Sequence, residues 1–240
     1  SGRMVTAIVI ENDFKDETVE EIGCDLPLDQ LVTDDVLHTI REAGIVGMGG
    51  AAFPGNVKAL SSMGKIDTLI ANACECEPYI TADDSLLRTE PEHVLEGMQI
   101  MHQILKPERV VLAIEDNKAE AIKKVKALLK DYAGIDVVVL PTMYPQGAEK
   151  QLVQSVTGRE VLPGQLPASV GCAVFNVSTF AAIYRAVRLG RPLYQRIVTV
   201  SGEAIAQPQN FIVRIGTPLH DLIEVAGGLN EKTERVISGG

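Results

Sequence analysis

The sequence is poor in aromatic residues, in basic residues and in long apolar runs, and each shortage excludes a class of protein. Its 240 residues include five Phe, five Tyr and no Trp, too few rings for a surface that stacks the bases of a single strand. Lys and Arg number 22 against 32 Asp and Glu, which gives a formal net charge of −10. A chain without a basic surplus is not expected to bind nucleic acid or an anionic membrane surface.

No apolar run approaches the roughly 20 residues that a membrane-spanning helix requires, so we expect no membrane span. The cysteines, Cys24, Cys74, Cys76 and Cys172, lack the spacing of a disulfide framework or of an iron–sulfur cluster. The histidines add no zinc-binding spacing, and no metal site is expected. Together these features favour a reducing, cytoplasmic setting.

What is present is a regular alternation of short buried strands and amphipathic helices. The predicted strands cover residues 68–72, 109–114, 136–140 and 172–177, and the predicted helices cover 33–43, 90–105, 118–132, 147–156 and 178–189. Continuous Val, Ile and Leu strands separated by helices are typical of a parallel sheet covered on both faces. The predicted fold class is therefore α/β, with a Rossmann-like, mostly parallel sheet flanked by helices.

Three segments are predicted along the chain. Residues 1–32 form an N-terminal segment with an isolated strand at 5–10 and an acidic linker. Residues 33–195 form the α/β domain. Residues 196–240 have the strand–strand–helix order of a partial β-grasp domain. Both ends of the chain are abrupt, which indicates a piece of a longer protein.

The densest functional signal is the segment 44–58, whose first half is dominated by small residues: Gly47, Gly49, Gly50 and Ala51. Such residues let a backbone approach a ligand closely, and their N–H groups can converge on an anion. Pro54 predicts the start of a helix whose N-terminus suits a phosphate, with Lys58 one turn in. A helix precedes the segment, so it is not the dinucleotide-binding glycine motif. A glycine-rich turn without a ligand is the alternative.

A second candidate segment follows the first strand of the α/β domain. Asn72 ends that strand, and Glu75 and Glu77 come soon after it. Ligands bind at the carboxyl ends of parallel strands. In extended backbone the two carboxylates point the same way and could accept hydrogen bonds from ribose hydroxyls. Spacing alone, however, favours a solvated acidic loop.

Two further strand ends carry similar residues. After one strand, Tyr144 could stack on a flat ring and Gly147 allows close approach of a ligand. Asn176 ends another strand, where Ser178 and Thr179 are explained as caps of the next helix. Each loop also fits an ordinary strand-to-helix connection. Together the four segments gather glycines and polar groups at one edge of one sheet, which indicates a nucleotide-like ligand.

The order of these segments resembles a known family. Residues 47–58, 72–78, 144–149 and 176–179 are similar to motifs of the FMN- and NADH-binding subunit of respiratory complex I. Residues 44–54 and 73–84 look more closely like the C subunits of Rnf electron-transport complexes. Residues 5–12 look like the last strand of a lipoyl-like domain, and the tail from Val198 like the start of the SLBB β-grasp domain.

The resemblance implies roles for individual residues. Those expected to bind cofactor are Gly47, Gly49, Gly50 and Ala51 around FMN, Phe53 near the nicotinamide nucleotide, Lys58 near the FMN phosphate or ring, Asn72 at the flavin, Glu75 and Glu77 facing flavin and NADH, Tyr144, Gly147 and Glu149 beside the ring, and Asn176 and Thr179 at the ribityl phosphate. Glu77 is expected to be the catalytic residue. Ala52 stands where the complex I family usually has Gly, and Gly55 where it has Thr.

The activity implied by the resemblance is hydride transfer from NADH to FMN, followed by transfer of single electrons to iron–sulfur clusters. The 4Fe–4S clusters are expected in the full-length protein only. The implied partners are NADH and the other subunits of an ion-translocating NADH:ferredoxin oxidoreductase, peripheral on the inner, cytoplasmic face of the cell membrane. Two alternatives are a cobalamin-reductase-type flavoprotein of the same family and a non-catalytic assembly module.

Overall fold

The computed structural model of the chain describes residues 11, 13–15, 17, 23–231 and 233–239. The strand predicted at residues 5–10 lies outside these residues. Within the predicted acidic linker, the described residues between 11 and 17 are exposed and belong to no helix or strand.

Residues 33–189 contain seven α-helices and four strands. In chain order they are α1 (Thr33–Glu42), α2 (Gly55–Ser62), β1 (Thr68–Ala73), α3 (Ala82–Thr89), α4 (Pro91–Leu105), β2 (Arg109–Glu115), α5 (Ala119–Leu128), β3 (Ile135–Leu140), α6 (Glu149–Thr157), β4 (Cys172–Asn176) and α7 (Val177–Leu189). Short 3₁₀ turns occupy Leu28–Gln30, Leu129–Asp131 and Pro167–Val170. All four strands of the predicted α/β domain are confirmed, with bounds that shift by one residue at most.

The four strands form one parallel sheet in the order β3-β2-β1-β4. Thr68 at the start of β1 pairs with Arg109 on one side and Cys172 on the other. The chain therefore leaves β1 towards β2 and later returns to the opposite side of β1 as β4. Such a reversal opens a crevice at the carboxyl ends of the strands that flank it, and in α/β sheets ligands bind in that crevice.

Helices cover both faces of the sheet, as predicted. On one face α4 and α7 pack against Leu69, Ala71 and Phe175. On the other face α6 packs against Ile70 and Val174. The two helices of the first face cross closely at Gly97, where an added Cβ would lie 2.0 Å from the Phe180 carbonyl oxygen. Glycine is required there because any side chain would separate the helices.

Sequence reasoning missed α3 and misplaced two helix starts. Within α3 the buried apolar residues are only Leu86 and Leu87, and two adjacent residues give no helical period. Helix α6 begins at Glu149, two residues later than predicted, and α7 begins at Val177 with Asn176 as its N-cap.

A second, smaller sheet follows the α/β domain. Strands β5 (Gln195–Val200) and β6 (Gln209–Arg214) pair antiparallel, and α8 (Leu219–Val225) follows them. This is the predicted strand–strand–helix order. Just before β5, Leu193 N–H donates a hydrogen bond to the Ala43 carbonyl at 2.8 Å. Among the described residues, no helix combines the length and the apolar character that crossing a bilayer requires.

Candidate functional site

The candidate site lies at the reversal between β1 and β4. Asn72 near the end of β1 and Asn176 at the end of β4 are register partners on adjacent strands. Both therefore stand at the carboxyl edge of the sheet, where sequence analysis places them. The other predicted segments reach this edge from three directions: the glycine loop from α1, the loop before α6, and the loop before α3.

The glycine loop, residues 46–54, is closed at its base and open at its tip. An isolated bridge joins Val46 to Pro54, and Gly47 N–H donates to the Phe53 carbonyl at 2.8 Å. Met48 N–H donates to Thr179 Oγ1 at 3.1 Å, which ties the loop to the first turn of α7. Thr179 thus holds the loop and does not cap its own helix, contrary to the sequence-based explanation.

Gly49 lies against the end of β4 with room to spare. An added Cβ there would meet Asn176 Cβ at 3.6 Å, and one at Gly47 would meet nothing closer than 3.6 Å. These are ordinary van der Waals contacts. Neither glycine has a positive φ that would require the residue. Neither packing nor backbone geometry within the chain therefore explains why these two positions lack a side chain.

Ala52 is strained, because its φ of +49° places an L-residue in the left-handed region. That conformation costs an alanine about 1–2 kcal/mol. Ala52→Gly should relieve it and stabilise the protein by about 0.5 kcal/mol after the added chain entropy is subtracted. The free energy of unfolding in urea measures the gain. Ala51→Gly is the matched control and should destabilise by about 0.5 kcal/mol, because Ala51 has no positive φ. An equal loss of unfolding free energy in both variants would contradict the strain at Ala52.

Lys58 projects from α2 to the middle of the site. Its Nζ lies 2.5 Å from Glu149 Oε1 and 5.2 Å from the centroid of the Phe175 ring. Both partners of the ion pair are about one third exposed. The contact brings α2, the start of α6 and the end of β4 together around one cation. Lys58 and Glu149 are therefore neighbours in space, as expected for residues of one site.

Asn72 and Gly147 have a structural task that the sequence did not reveal. Asn72 Nδ2 donates to the Gly147 carbonyl at 2.9 Å, and Asn72 Oδ1 accepts from Cys74 N–H at 3.0 Å. A Cβ at Gly147 would lie 2.1 Å from the Cys74 carbonyl oxygen. The expectation that Gly147 makes room for a ligand needs correction, because the space that it saves is filled by the loop after β1.

Glu75 and Glu77 do not behave as the alternating pair that sequence analysis expected. Strand β1 ends at Ala73, so backbone alternation no longer sets side-chain directions. The Glu75 carboxylate accepts from Asp83 N–H at 3.0 Å and Asp84 N–H at 3.4 Å at the start of α3, and only 6% of the side chain is exposed. Glu77 makes no hydrogen bond or ion pair within the described part of the chain. Of the two carboxylates, Glu77 is the one available to a ligand.

Glu75 also makes stability depend on pH. Burial, with the Asp83 charge in second place, raises the pKa of Glu75 to about 7, although two N–H groups and the Lys118 ammonium favour ionisation. A raised carboxyl pKa means that the folded state binds the proton more tightly. The stabilisation is therefore complete below the ordinary pKa near 4.5 and is lost as pH rises to about 7.

Glu75→Gln should remove this dependence, because glutamine keeps the acceptor oxygen and carries no charge. Between about pH 5 and about pH 8, the variant should gain up to about 3 kcal/mol relative to the parent protein. Urea unfolding of both proteins at the two pH values measures the difference. An equal difference at both values would show that Glu75 is ionised throughout.

Asp83 connects α3 to the end of β4. Its carboxylate accepts from Asn176 Nδ2 at 2.6 Å and from Ser178 Oγ at 2.7 Å. Asn176 Oδ1 accepts from Ser178 N–H at 2.8 Å, so Asn176 is the cap of α7. The prediction that Ser178 caps this helix is wrong, because its hydroxyl is directed to Asp83. Burial raises the pKa of Asp83, and the two hydrogen bonds oppose that effect.

Two predicted aromatic residues border the site with exposed rings. Phe53 at the end of the glycine loop is 50% exposed, and Tyr144 in the loop before α6 is 71% exposed. Gly50 and Ala51 at the loop tip are exposed as well. These groups are therefore accessible to a ligand that enters the crevice.

Glu115, at the carboxyl end of β2, is a site residue that sequence analysis missed. It is fully buried, and neither carboxylate oxygen has a hydrogen-bond partner of normal geometry in the described part of the chain. Burial raises the pKa of Glu115, while Lys118 and the Met143 N–H lower it. Its position in the sequence was the available signal. Glu115 ends the apolar strand β2, as Asn176 ends β4 and as Asn72 lies near the end of β1.

The opposite edge of the sheet holds a cavity of about 250 Å³ that includes Asp67, Arg109 and Arg159 in its lining. Arg159 Nη1 spans it by pairing with Asp67 Oδ1 at 2.7 Å. None of the predicted site residues lies there. In the described residues no group of three His, Cys, Asp or Glu side chains is arranged to hold a metal ion. The four cysteines are free thiols.

Two known domain families match the chain in sequence. Residues 40–185 match the Nuo51 FMN-binding domain, and residues 197–240 match the SLBB domain. The first match covers more than half of the chain. The protein therefore belongs to the Nuo51 FMN-binding domain family.

The relatives narrow the comparison to one kind of complex. The C subunit of the proton-translocating ferredoxin:NAD(+) oxidoreductase complex of Clostridium ljungdahlii is 50% identical over 237 residues, 98% of this chain and 51% of the relative. The C subunit of the Na(+)-translocating complex of Acetobacterium woodii is 40% identical over 241 residues, covering 100% and 54%. The C subunit of an ion-translocating oxidoreductase complex of Pseudomonas aeruginosa is 46% identical over 242 residues, covering 100% and 31%. The resemblance to Rnf C subunits is confirmed, and the chain spans about a third to a half of these relatives.

A solved structure supports the fold. The crystal structure of an NAD+-reducing NiFe hydrogenase in the H2-reduced state matches with a TM-score of 0.74 and 24% identity. The match covers 85% of this chain and 40% of that chain. At this identity the likeness establishes the α/β architecture.

Proposed function

We propose that this chain is the FMN- and NADH-binding part of one subunit in an ion-translocating ferredoxin:NAD+ oxidoreductase. In this function a bound FMN would accept the hydride of NADH, and iron–sulfur clusters outside residues 1–240 would accept the electrons. The other subunits of the complex would be its partners, on the cytoplasmic face of the membrane. The relatives and the family match support this assignment over a cobalamin reductase.

The observation that carries the proposal is the presence of glycine at positions 47 and 49, where the fold does not require it. Both positions would accept a Cβ with only ordinary van der Waals contacts in the chain, and neither has a backbone that requires glycine. Gly49 lies at the reversal of the sheet, beside Asn176, and Gly47 lies beside Phe53. A glycine that is not needed by the fold is explained by a ligand that approaches the backbone closely.

The charges of the site divide it into two halves that suit the two ends of a flavin nucleotide. On one side stand the glycine loop and the Lys58 ammonium, which pairs with Glu149 and suits a phosphate. On the other side stand the carboxyls of Glu77 and Glu115, which suit hydroxyl and ring N–H donors. The residues present therefore fit FMN, with the phosphate near Lys58 and Thr179.

The chain's own residues would position the two nucleotides. Thr179 fixes the glycine loop, Asn72 joins the loop after β1 to the loop before α6, and Asn176 caps α7. The exposed rings of Phe53 and Tyr144 would cover the bound rings and exclude water. When bound, FMN would supply a two-electron acceptor for the hydride of NADH and pass single electrons onward. Glu77 would face the junction of the two rings.

Titration of the purified chain with FMN tests the binding half of this function. Saturable quenching of flavin fluorescence is the expected result. Absence of saturable quenching up to about millimolar FMN, which corresponds to only about 4 kcal/mol of affinity, would contradict the flavin site and favour a non-catalytic assembly module.

A further inference from the structure

The loop that carries Glu77 is bound by the hairpin that follows its own domain. We define the Glu77 segment as residues 77–81, between the loop after β1 and helix α3. Its Thr81 carbonyl accepts from Ser85 N–H of α3 at 2.9 Å, and the side-chain hydrogen bonds to the segment come from the β5–β6 hairpin. Ser201 Oγ donates to the Tyr79 carbonyl at 2.7 Å, and Thr81 N–H donates to Thr199 Oγ1 at 3.1 Å.

Asn210 is the centre of this contact. Its Nδ2 donates to the Thr81 carbonyl at 3.1 Å and to Thr81 Oγ1 at 3.0 Å. Its Oδ1 accepts from Thr199 Oγ1 at 2.7 Å. Thr199 and Asn210 are register partners across the hairpin. This one cross-strand pair of side chains therefore binds the N–H, the carbonyl and the hydroxyl of Thr81.

The backbone of the Glu77 segment shows why it must be held. Tyr79 has a φ of +69°, a left-handed conformation that L-residues rarely adopt, and its ring is 67% exposed. Such a conformation costs about 1–3 kcal/mol and persists only where the surroundings impose it. Here two hydrogen bonds impose it. Ser201 Oγ donates to the Tyr79 carbonyl, and the Asn210 amide donates to the Thr81 carbonyl.

The same hairpin also touches the glycine loop. Arg196 Nη2 on β5 donates to the Met48 carbonyl at 3.4 Å, and its charge favours the ionised form of Asp83 by lowering its pKa. The β5–β6 hairpin is thus in contact with two of the three loops that border the crevice. A shift of the hairpin would move the Glu77 segment and the glycine loop together.

We propose that the β5–β6 hairpin is a clamp that holds Glu77 in place for the nicotinamide nucleotide, with Asn210 as its positioning residue. This inference rests on the proposed function. Within the described part of the chain, Asn210 has no hydrogen bond to the glycine loop or Lys58, so its loss should impair the NADH step more than FMN binding. The clamp gives residues 196–240 a task in the site of the preceding domain.

The test compares Asn210→Ala with the matched control Gln209→Ala in the full 240-residue chain. Gln209 is the adjacent exposed residue, and among the described residues its side chain donates its hydrogen bond to the Gln207 carbonyl at 3.4 Å. In Asn210→Ala, hydrogen exchange of the Thr81 amide, which donates to Thr199 Oγ1, should accelerate at least about tenfold. The FMN dissociation constant should stay within about twofold, and the KM for NADH in reduction of bound FMN should rise at least about tenfold. Gln209→Ala should match the parent protein in all three.

Unchanged exchange of the Thr81 amide, or an equal loss of FMN and NADH binding, would overturn the clamp. Ser201→Ala, which removes only the bond to the Tyr79 carbonyl, provides a milder second variant and should raise the KM for NADH less than Asn210→Ala does. If the parent protein fails to bind FMN, the proposed function fails, while the exchange measurement still decides whether Asn210 holds the segment.

Discussion

Gly147→Ala is expected to destabilise the protein by about 3 kcal/mol. The added Cβ would lie 2.1 Å from the Cys74 carbonyl oxygen and 3.2 Å from Cys76 Sγ. Since backbone atoms cannot rotate away as a side chain can, the loop before α6 must move. That movement stretches the hydrogen bond from Asn72 to the Gly147 carbonyl, which adds to the cost of overpacking.

Gly49→Ala is the matched control for stability, because it makes the same substitution at the same edge of the sheet. Its Cβ would be in ordinary contact with Asn176, so the free energy of unfolding should change by less than about 1 kcal/mol. Urea unfolding of the three proteins without added flavin gives the comparison. A loss in Gly49→Ala as large as in Gly147→Ala would mean that both glycines serve the fold.

Gly49→Val is expected to weaken FMN binding at least about 100-fold while the protein remains folded. The valine side chain would occupy the space beside Asn176 where, under the proposed function, the flavin approaches the backbone. Steric exclusion of this kind costs about 3 kcal/mol, and each 1.4 kcal/mol is a factor of about ten in affinity. Gly49→Ala should fall between the valine variant and the parent protein.

Fluorescence titration with FMN measures this loss, and thermal unfolding without FMN confirms that each variant is folded. The control for binding is Lys65→Ala, an exposed cation just beyond α2, which should bind FMN as the parent protein does. Retention of full affinity in Gly49→Val would remove the main support for a ligand at the glycine loop.

The sheet could be predicted from the sequence because its signal is local. Strands β1 and β2 are continuous apolar runs, and the helices between strands carry apolar residues at helical spacing. Since parallel strands end at one edge, the convergence of Asn72, Asn176 and the glycine loop followed from the strand assignments alone. Helix α3 could not be found this way, because Leu86 and Leu87 are adjacent and give no period.

The roles of the polar residues could not be predicted, because their partners are distant in sequence. Asn72 binds the carbonyl of Gly147, 75 residues away, and Asn176 binds Asp83, 93 residues away. A strand end followed by a polar residue looks the same whether that residue binds a ligand or another loop. The difference between Gly49 and Gly147 has the same origin, since only the fold shows which glycine faces a neighbouring backbone.

Glu75 and Glu77 illustrate the limit of reading a pattern by alternation. The carboxylates are two residues apart, but the strand has ended before them. Glu75 turns to the start of α3, and Glu77 remains in a segment held by Asn210. Their separate roles depend on a helix and a hairpin that local spacing does not reveal.

The central claim is that this chain binds FMN where NADH can reduce it. The most direct measurement is the visible absorbance of the FMN-loaded chain after NADH is added without oxygen. We expect the flavin absorbance to be lost at a rate that rises with NADH concentration and then saturates. Flavin that binds to the chain but stays oxidised at saturating NADH would contradict the claim.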